Sequence, residues 1–381
     1  MLDTDQIIAA AQAQTGLSKL EDPSILEGLG VYVRALNTEA RLTERGEQSM
    51  QKWMVDTLVN RLKVDDHLAR HPELLARPIE KPMFVFGLPR TGTTLAINLL
   101  HADPARRSAL RWEVLDSVPP PKADALSSDP RYQREQARLE MTIKHAPHIA
   151  AIHYEDADSP TECQFIMSQS FRAQVFEAQV QVPSYRRWFL DADYGPAFRY
   201  HKRFLQLLQS DAPGRWTLKN PWHPLFLDDL TAVYPDAQLV MTHRDPAEVV
   251  GSACSLIRHV RAMFSDHVDL RQIAEDMVDT FDQMIARQEA FRAKHGRGAI
   301  YDLDYRALTA DPLGEMKKLY RHFDEPLTPQ AEAAMTAYLA ANAQGKHGKH
   351  VYSLEEFGLT KAGVREHFAA YCRDYDILQK A

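Results

Sequence analysis

The hydrophobic positions of this chain recur at two different spacings, and the change between them falls near residue 80. Before it, apolar side chains recur every three or four positions, as over residues 25–42 and 50–68, which predicts amphipathic helices. After it, short unbroken apolar runs alternate with stretches of helical spacing. The pattern therefore predicts a helical region over residues 1–80 that packs on a larger domain over residues 81–381.

The short apolar runs in the larger domain predict five β-strands separated by helices. The predicted strands are residues 83–86, 108–114, 215–219, 237–242 and 299–303. Strands that alternate with helices form a mainly parallel sheet with helices on both faces, so we expect an α/β fold. Ligands of such sheets bind at the carboxyl ends of the strands. A helical, aromatic-rich insertion is predicted over residues 122–208, where the aromatic side chains either fill the core or line an acceptor site.

Composition narrows the classes of protein to which this chain can belong. Of its 381 residues, 45% are hydrophobic and 25% are charged, as in ordinary globular proteins. The formal net charge of −7 argues against broad nucleic-acid binding, so any cation cluster must be a local site. The sequence has an acidic N-terminus unlike a signal peptide, no apolar run near the ~18 residues of a membrane span, and three cysteines without a Cys-x-x-Cys pair. We therefore expect a cytoplasmic protein.

The first candidate site is the loop that follows the first predicted strand. It runs from Gly87 to Gly92 with the spacing Gly-x-x-x-x-Gly, and a helix is predicted to begin at Thr93 and Thr94. Such a loop binds anions, because backbone N–H groups converge there and the helix dipole favours negative charge. Arg90 adds a cation suited to phosphate or sulfate oxygens. The Gly-Lys-Ser/Thr of nucleotide triphosphatases is missing, so the loop fits a phosphoryl-like group without their Mg²⁺ arrangement, unless it is an ordinary strand–turn–helix.

The second candidate site follows the strand predicted over residues 237–242. Arg244 comes directly after that strand, and Ser252 lies eight residues further on, about two turns along the next helix. Both side chains could therefore bind one phosphate, the arginine by forked hydrogen bonds and the serine by its hydroxyl. The alternative is an Arg–Asp pair beside a packed helix serine.

Taken together, the two blocks resemble the nucleotide-binding segments of sulfotransferases that use 3′-phosphoadenosine 5′-phosphosulfate (PAPS). Pro89-Arg90-Thr91-Gly92-Thr93-Thr94 is similar to their 5′-phosphosulfate loop, and the spacing of Arg244 and Ser252 is similar to their 3′-phosphate block. The resemblance covers roughly residues 82–310. It implies a P-loop-like sulfotransferase fold and transfer of sulfonate from PAPS to an acceptor hydroxyl. The nucleotide product would be 3′-phosphoadenosine 5′-phosphate (PAP), and no metal would be required.

Further nucleotide contacts are implied by the same resemblance. The segment that begins at Tyr305 is similar to one whose tyrosine meets the adenine, although Arg306 and Ala307 replace its Glu-Asp pair. The basic run over residues 345–350 takes the place of a late Arg-Lys-Gly loop without matching it. The nucleotide-binding residues implied are Pro89, Arg90, Thr91, Gly92, Thr93, Thr94, Arg244, Ser252, Tyr305 and Lys349.

Two cations are expected to act on the sulfonate group itself. In-line displacement needs positive charge where negative charge builds up on the sulfonate and the bridging oxygen. The segment Lys219-Asn220-Pro221-Trp222 is similar to the one in which sulfotransferases place a lysine near the moving sulfonate. Arg90 in the phosphosulfate loop is the second cation.

The general base, which takes the proton of the acceptor hydroxyl, has several candidates. Tyrosylprotein and heparan-type sulfotransferases use a glutamate in the region of Glu113, which is predicted to end the second strand, and this resemblance favours Glu113. Cytosolic small-molecule enzymes use a histidine at the place held here by Pro221, with His223 two residues on. His153 and Glu162 are the remaining candidates.

Two other functions remain open for such a sequence. A P-loop kinase or nucleotide triphosphatase would turn over ATP with Mg²⁺, and a non-catalytic module would bind the nucleotide without transferring anything. For a sulfotransferase, we expect a small-molecule, lipid or carbohydrate hydroxyl as the acceptor, no nucleic-acid partner, and a possible homo-oligomer.

Overall fold

The structure, a computed structural model, describes residues 1–20, 22–145, 155–342 and 351–378. Within these ranges the strands are β1 (Met83–Gly87), β2 (Arg106–Arg107), β3 (Arg215–Lys219), β4 (Gln238–His243) and β5 (Tyr301–Asp304). The helices up to β3 are α1 (Thr4–Thr15), α2 (Ser24–Thr38), α3 (Glu44–Arg70), α4 (Thr93–Ala102), α5 (Arg111–Leu115), α6 (Pro130–His145), α7 (Cys163–Met167), α8 (Val175–Gln179), α9 (Pro183–Asp191) and α10 (Gly195–Leu208). Those after β3 are α11 (Leu227–Val233), α12 (Pro246–Arg261), α13 (Leu270–His295), α14 (Tyr305–Ala310), α15 (Pro312–His322), α16 (Pro329–Ala341), α17 (Lys361–His367) and α18 (Ala369–Asp374).

The strands form one parallel sheet in the order β2-β3-β1-β4-β5. β1 is central, and its Val85 pairs with Lys219 of β3 on one side and with Val240 of β4 on the other. The chain leaves β1 for β2 and β3 on one side and then crosses to β4 and β5 on the other. A crevice therefore opens at the carboxyl ends of β1 and β4, where parallel sheets bind ligands. The predicted α/β fold with a mainly parallel central sheet of about five strands is confirmed.

Two apolar clusters cover the two faces of the sheet. Successive side chains of a strand point to opposite faces, and β1 is buried on both. Phe84 and Phe86 belong to one cluster, while Met83 and Val85 belong to the other. The second cluster takes its partners from α4, α14, α15 and α16. Helices therefore flank the sheet on both faces, as the alternating pattern predicts.

Helices α1, α2 and α3 form the N-terminal part of the chain. Their buried residues, such as Ile7, Leu29 and Met54, belong to the same cluster as Phe84 of β1. The backbone also joins the two parts, because the N–H of Thr43 donates to the carbonyl of Phe264 at 3.0 Å. The helices lie where the spacing of apolar residues predicts them, and the division at residue 80 stays a prediction.

The strand predicted over residues 108–114 is wrong. Only the two residues of β2 pair with β3. The following residues form α5, whose first turn is closed by Glu113, since its carboxylate accepts a hydrogen bond from the N–H of Leu110 at 3.1 Å. The alternating apolar side chains of this segment, Leu110 and Trp112, pack with Ala157 in a small cluster of their own.

The aromatic side chains of the predicted insertion mostly fill the core. Buried among them are Phe171, Phe176, Tyr185, Phe189, Tyr194, Phe198 and Phe204. Several rings pack on one another, and Tyr194 stacks on Phe226 with 3.7 Å between ring centroids. This arrangement indicates that these aromatic residues fill the core rather than line an acceptor site.

The C-terminal helices close over the end of β4. His243 is the last residue of that strand. A hydrogen bond of 2.8 Å joins its Nδ1 to the hydroxyl of Tyr371, and its ring stacks on that of Tyr375. Arg365 of α17 forms an ion pair with Asp245, the residue that caps α12. These contacts fix the position of the segment that carries Arg244. No helix in the described ranges is both long and apolar enough to cross a membrane.

Candidate functional site

The loop between β1 and α4 is held in its shape by left-handed backbone and by threonine hydroxyls. Arg90 and Gly92 have φ values of 71° and 97°. The hydroxyl of Thr91 donates to the carbonyl of Leu88 at 2.6 Å and lies 2.6 Å from the hydroxyl of Thr242 in β4. The loop is thereby fixed to the neighbouring strand, with the N-terminus of the ten-residue helix α4 at the crevice.

Glycine is required at position 92 because an aromatic ring packs against the loop there. A Cβ atom at this position would lie 2.6 Å from Cδ2 of Tyr305, which is closer than carbon atoms can approach. The guanidinium of Arg244 lies over the same ring, 4.3 Å from its centroid. Tyr305 therefore joins the loop after β1 to the arginine after β4.

Arg90, Arg244 and Ser252 lie together at the carboxyl ends of β1 and β4. Arg244 Nη1 donates to the carbonyl of Arg90 at 3.0 Å, and Arg90 Nε donates to Ser252 Oγ at 3.1 Å. Burial and the nearby charge of Arg244 lower the pKa of Arg90. Two guanidinium groups at close range favour an anion between them. The fold therefore brings together Arg90, Arg244 and Ser252, three of the candidate nucleotide contacts predicted from the sequence.

Lys219 lies on the other side of β1, at the end of β3. Its side chain is almost fully buried, and its Nζ lies 3.2 Å from Glu162 Oε1. The backbone of Glu162 forms a parallel bridge with Lys219, which places the glutamate at the same edge of the sheet. The Gln164 side chain donates to Glu162 Oε2, so both carboxylate oxygens are held. The Glu162 side chain nevertheless keeps 12% of its surface exposed.

Glu113 is predicted to end a strand, but in the structure it lies in the short helix α5. Its side chain is completely buried, and Arg107 donates to both carboxylate oxygens, at 2.9 and 3.2 Å. Burial raises its pKa, and the charge of Arg107 opposes that rise. Arg107 also donates to the carbonyls of Leu208 and Ala212. The arrangement is that of a buried structural ion pair, with no carboxylate oxygen open to an acceptor.

Replacing Glu113 by Gln is expected to lower the free energy of unfolding by about 3–5 kcal/mol, because buried Arg107 loses its charged partner. Urea unfolding followed by circular dichroism measures this change. Glu356→Gln is the matched control, since Glu356 also pairs with an arginine, Arg258, but at the surface. A Glu113→Gln protein as stable as the wild type would contradict the structural role.

His223 lies in the aromatic core and not at the crevice. Its side chain is 1% exposed, and its ring lies 5.3 Å from that of Phe84 and 5.7 Å from that of Phe198. Burial holds its pKa well below the usual value. These surroundings argue against His223 as the base. His153 and Lys349 lie outside the described residues.

Three residues at the site were not singled out from the sequence. Gln164 holds Glu162, Glu248 accepts two hydrogen bonds from Arg244, and Tyr352 donates from its hydroxyl to the carbonyl of Glu248 at 2.9 Å. The four-residue spacing of Arg244 and Glu248 on a helix was a readable signal. Tyr352 lies about a hundred residues from its partner, so only the fold reveals it. Among the described residues, no three His, Cys, Asp or Glu side chains lie close enough together to hold a metal ion.

Comparisons with known proteins agree with this geometry. The model of the sulfotransferase family matches residues 82–329. The curated omega-hydroxy-beta-dihydromenaquinone-9 sulfotransferases Stf3 of Mycobacterium bovis and Mycobacterium tuberculosis are each 24% identical over 310 residues, which cover 76% of this chain and 73% of the relative. The crystal structure of sulfotransferase STF9 from Mycobacterium avium superposes with a TM-score of 0.92 at 34% identity, over 99% of this chain and 97% of that one. Sulfotransferase STF1 from Mycobacterium tuberculosis gives 0.87 at 35% identity, over 97% and 99%.

Proposed function

This chain belongs to the sulfotransferase family and is a sulfotransferase, and we propose that its sulfonate donor is PAPS, which leaves as PAP. The observation that carries the proposal is the meeting of Arg90, Arg244 and Ser252 at the crevice, with Lys219 on the adjacent strand. PAPS presents two separate anionic groups, a 3′-phosphate and a 5′-phosphosulfate. Two anion-binding elements on neighbouring strands fit such a donor.

The two anionic groups of the donor are assigned to different elements of the site. The 5′-phosphosulfate is placed on the loop from Pro89 to Thr94, where backbone N–H groups and the N-terminus of α4 supply positive charge. The 3′-phosphate is placed on Arg244 and Ser252. Arg90 extends from the loop to Ser252 and so links the two positions. Tyr305, which packs beneath Arg244, stays the proposed contact for the adenine.

In the transfer step, the acceptor oxygen attacks sulfur while the bond from sulfur to the bridging oxygen breaks. The electron pair of that bond goes to the phosphate of the departing PAP. We assign to Lys219 the donation of a hydrogen bond to the bridging oxygen as its negative charge increases, and to Arg90 the stabilisation of charge on the sulfonate. The proton of the acceptor hydroxyl must go to a base within hydrogen-bond reach.

We assign that base to Glu162 in place of Glu113. The carboxylate of Glu162 lies 3.2 Å from Lys219 Nζ, so the proton acceptor and the cation on the leaving oxygen are neighbours. The hydrogen bond from Gln164 fixes the orientation of the carboxylate. Glu162 is partly exposed, whereas Glu113 is fully buried against Arg107. These differences in access support Glu162.

The acceptor is proposed to carry its hydroxyl on a lipid or another small molecule. Support comes from the curated relatives, whose name identifies an omega-hydroxylated dihydromenaquinone as their substrate. Because those relatives are 24% identical, we extend to this chain the class of acceptor and not the compound. A kinase is disfavoured, since the loop lacks the lysine that holds the β- and γ-phosphates of ATP.

Nucleotide binding tests the assignment of the 3′-phosphate. PAP is expected to bind more tightly than AMP by roughly 10- to 1,000-fold, because hydrogen bonds to charged groups contribute ~1.5–3 kcal/mol each. Isothermal titration calorimetry with both nucleotides measures the difference. The Arg244→Gln variant should lose most of the preference for PAP over AMP. Equal affinities of the wild-type protein for PAP and AMP would overturn the assignment.

A further inference from the structure

A carboxylate lies directly against the arginine to which we assign the 3′-phosphate. Glu248 is in the first turn of α12, and its Oε2 accepts hydrogen bonds from Arg244 Nε at 2.9 Å and Nη2 at 2.6 Å. Arg244 Nη1 donates to the carbonyl of Arg90. The guanidinium is thus already paired with an anion of the chain on one of its sides.

The other acidic side chain in this part of α12 is neutralised elsewhere. Asp245 accepts from the N–H of Ala247 at 3.0 Å and forms an ion pair with Arg365. The carboxylate of Glu248 contacts Arg244, the cation of the proposed phosphate site, and the hydroxyl of Tyr352 donates to the backbone carbonyl of Glu248. Glu248 is therefore the acidic side chain in direct contact with the arginine to which we assign the 3′-phosphate.

A phosphate at Arg244 brings two negative charges close to that carboxylate. It must either replace Glu248 on the guanidinium or bind beside it against like-charge repulsion. The Glu248 side chain is 42% exposed and that of Arg244 is 25% exposed, so solvent screens part of this repulsion but not all of it.

We propose that Glu248 is an internal competitor of the 3′-phosphate, which sets the affinity of the site for nucleotides that carry this group. It lowers the affinity for PAP and thereby assists release of the product after each transfer. The affinity for nucleotides without a 3′-phosphate is unaffected. This inference rests on the proposed function, because it takes Arg244 as the residue that binds the 3′-phosphate.

The test is the Glu248→Gln variant, titrated with PAP and with AMP by calorimetry. Glutamine keeps an acceptor oxygen for Arg244 and removes only the charge. PAP should bind to this variant roughly 2- to 5-fold more tightly than to the wild type, since a partly screened charge pair contributes up to about 1 kcal/mol. AMP should bind equally to both proteins. The gain for PAP should shrink as salt is added.

The matched control is Glu356→Gln, which also removes one negative charge from an arginine pair, at the far end of α12. It should leave both affinities unchanged, and thermal unfolding should show that both variants fold. An unchanged ratio of PAP to AMP affinity in Glu248→Gln would overturn the inference, and weaker PAP binding would do the same by showing that Glu248 orients Arg244. A wild-type protein that does not prefer PAP would instead refute the proposed function itself.

Discussion

Replacing Glu162 by Gln is expected to lower turnover roughly 100- to 10,000-fold, because the acceptor hydroxyl loses the group that takes its proton. Glutamine keeps the shape of the side chain and a contact for Lys219 and Gln164. The affinity for PAPS should change little, since a base for the acceptor need not touch the nucleotide. Steady-state kinetics at saturating PAPS, with a calorimetric measurement of PAP binding, separate the two quantities.

The acidity of the acceptor gives a second measurement on the same variant. A nitrophenol has an acidic hydroxyl and needs less help from a base than an alkyl alcohol does. Glu162→Gln should therefore slow transfer to the alcohol more than transfer to the phenol. Glu113→Gln is the control, and its folded fraction should keep the wild-type ratio between the two acceptors. A large loss of turnover in Glu113→Gln, with Glu162→Gln fully active, would restore Glu113 as the base.

Replacing Lys219 by Ala is expected to lower turnover ~100-fold or more, as when other preorganised donors to a developing negative charge are removed. Lys219 is buried next to β1 and within 3.2 Å of Glu162, so its ammonium group is fixed before the donor arrives. PAP affinity should fall much less than turnover, because the proposed interaction strengthens as the bridging oxygen gains charge.

Lys318→Ala is a suitable control for Lys219→Ala, since Lys318 also pairs with a glutamate, Glu315, but at the surface and away from the crevice. The Lys219→Ala/Glu162→Gln double variant adds a further check. If the two residues act in one step, the double variant should be far less impaired than the product of the single losses predicts. Near-normal turnover of Lys219→Ala would remove this lysine from the mechanism.

Much of the fold follows from local sequence because its elements have strong local signals. The unbroken apolar run of β1, the glycines of the loop and the apolar run of α4 together predict the strand–loop–helix element that the structure has. β3, β4 and β5 lie within a few residues of their predicted ranges. Ser252 lies eight residues after Arg244, about two turns along, so the predicted strand end and the start of α12 are enough to place both residues at the same edge of the sheet.

The failures have one physical cause, which is that the deciding contacts are distant in sequence. The five residues of α5 are too few to show helical spacing, and the short helix is held by Glu113 and by packing on residues near 157. Glu113 is inaccessible because it pairs with Arg107 in the interior, whereas Glu162 keeps part of its surface exposed. Local sequence does not show which glutamate forms the buried pair. Glu162 lies beside Lys219 because their backbones form a parallel β-bridge. The two residues are 57 positions apart in the sequence, so no local pattern predicts this contact.

Transfer of radiolabelled sulfonate from PAPS tests the central claim most directly. The wild-type protein is incubated with labelled PAPS and, in separate reactions, with lipid, small-molecule and carbohydrate alcohols, and labelled product and PAP are quantified together. We expect labelled product and PAP in equal amounts with an acceptor of the lipid or small-molecule class, and a loss of both in Lys219→Ala. PAPS that remains intact with every class, together with Mg²⁺-dependent turnover of ATP by the same protein, would contradict the account.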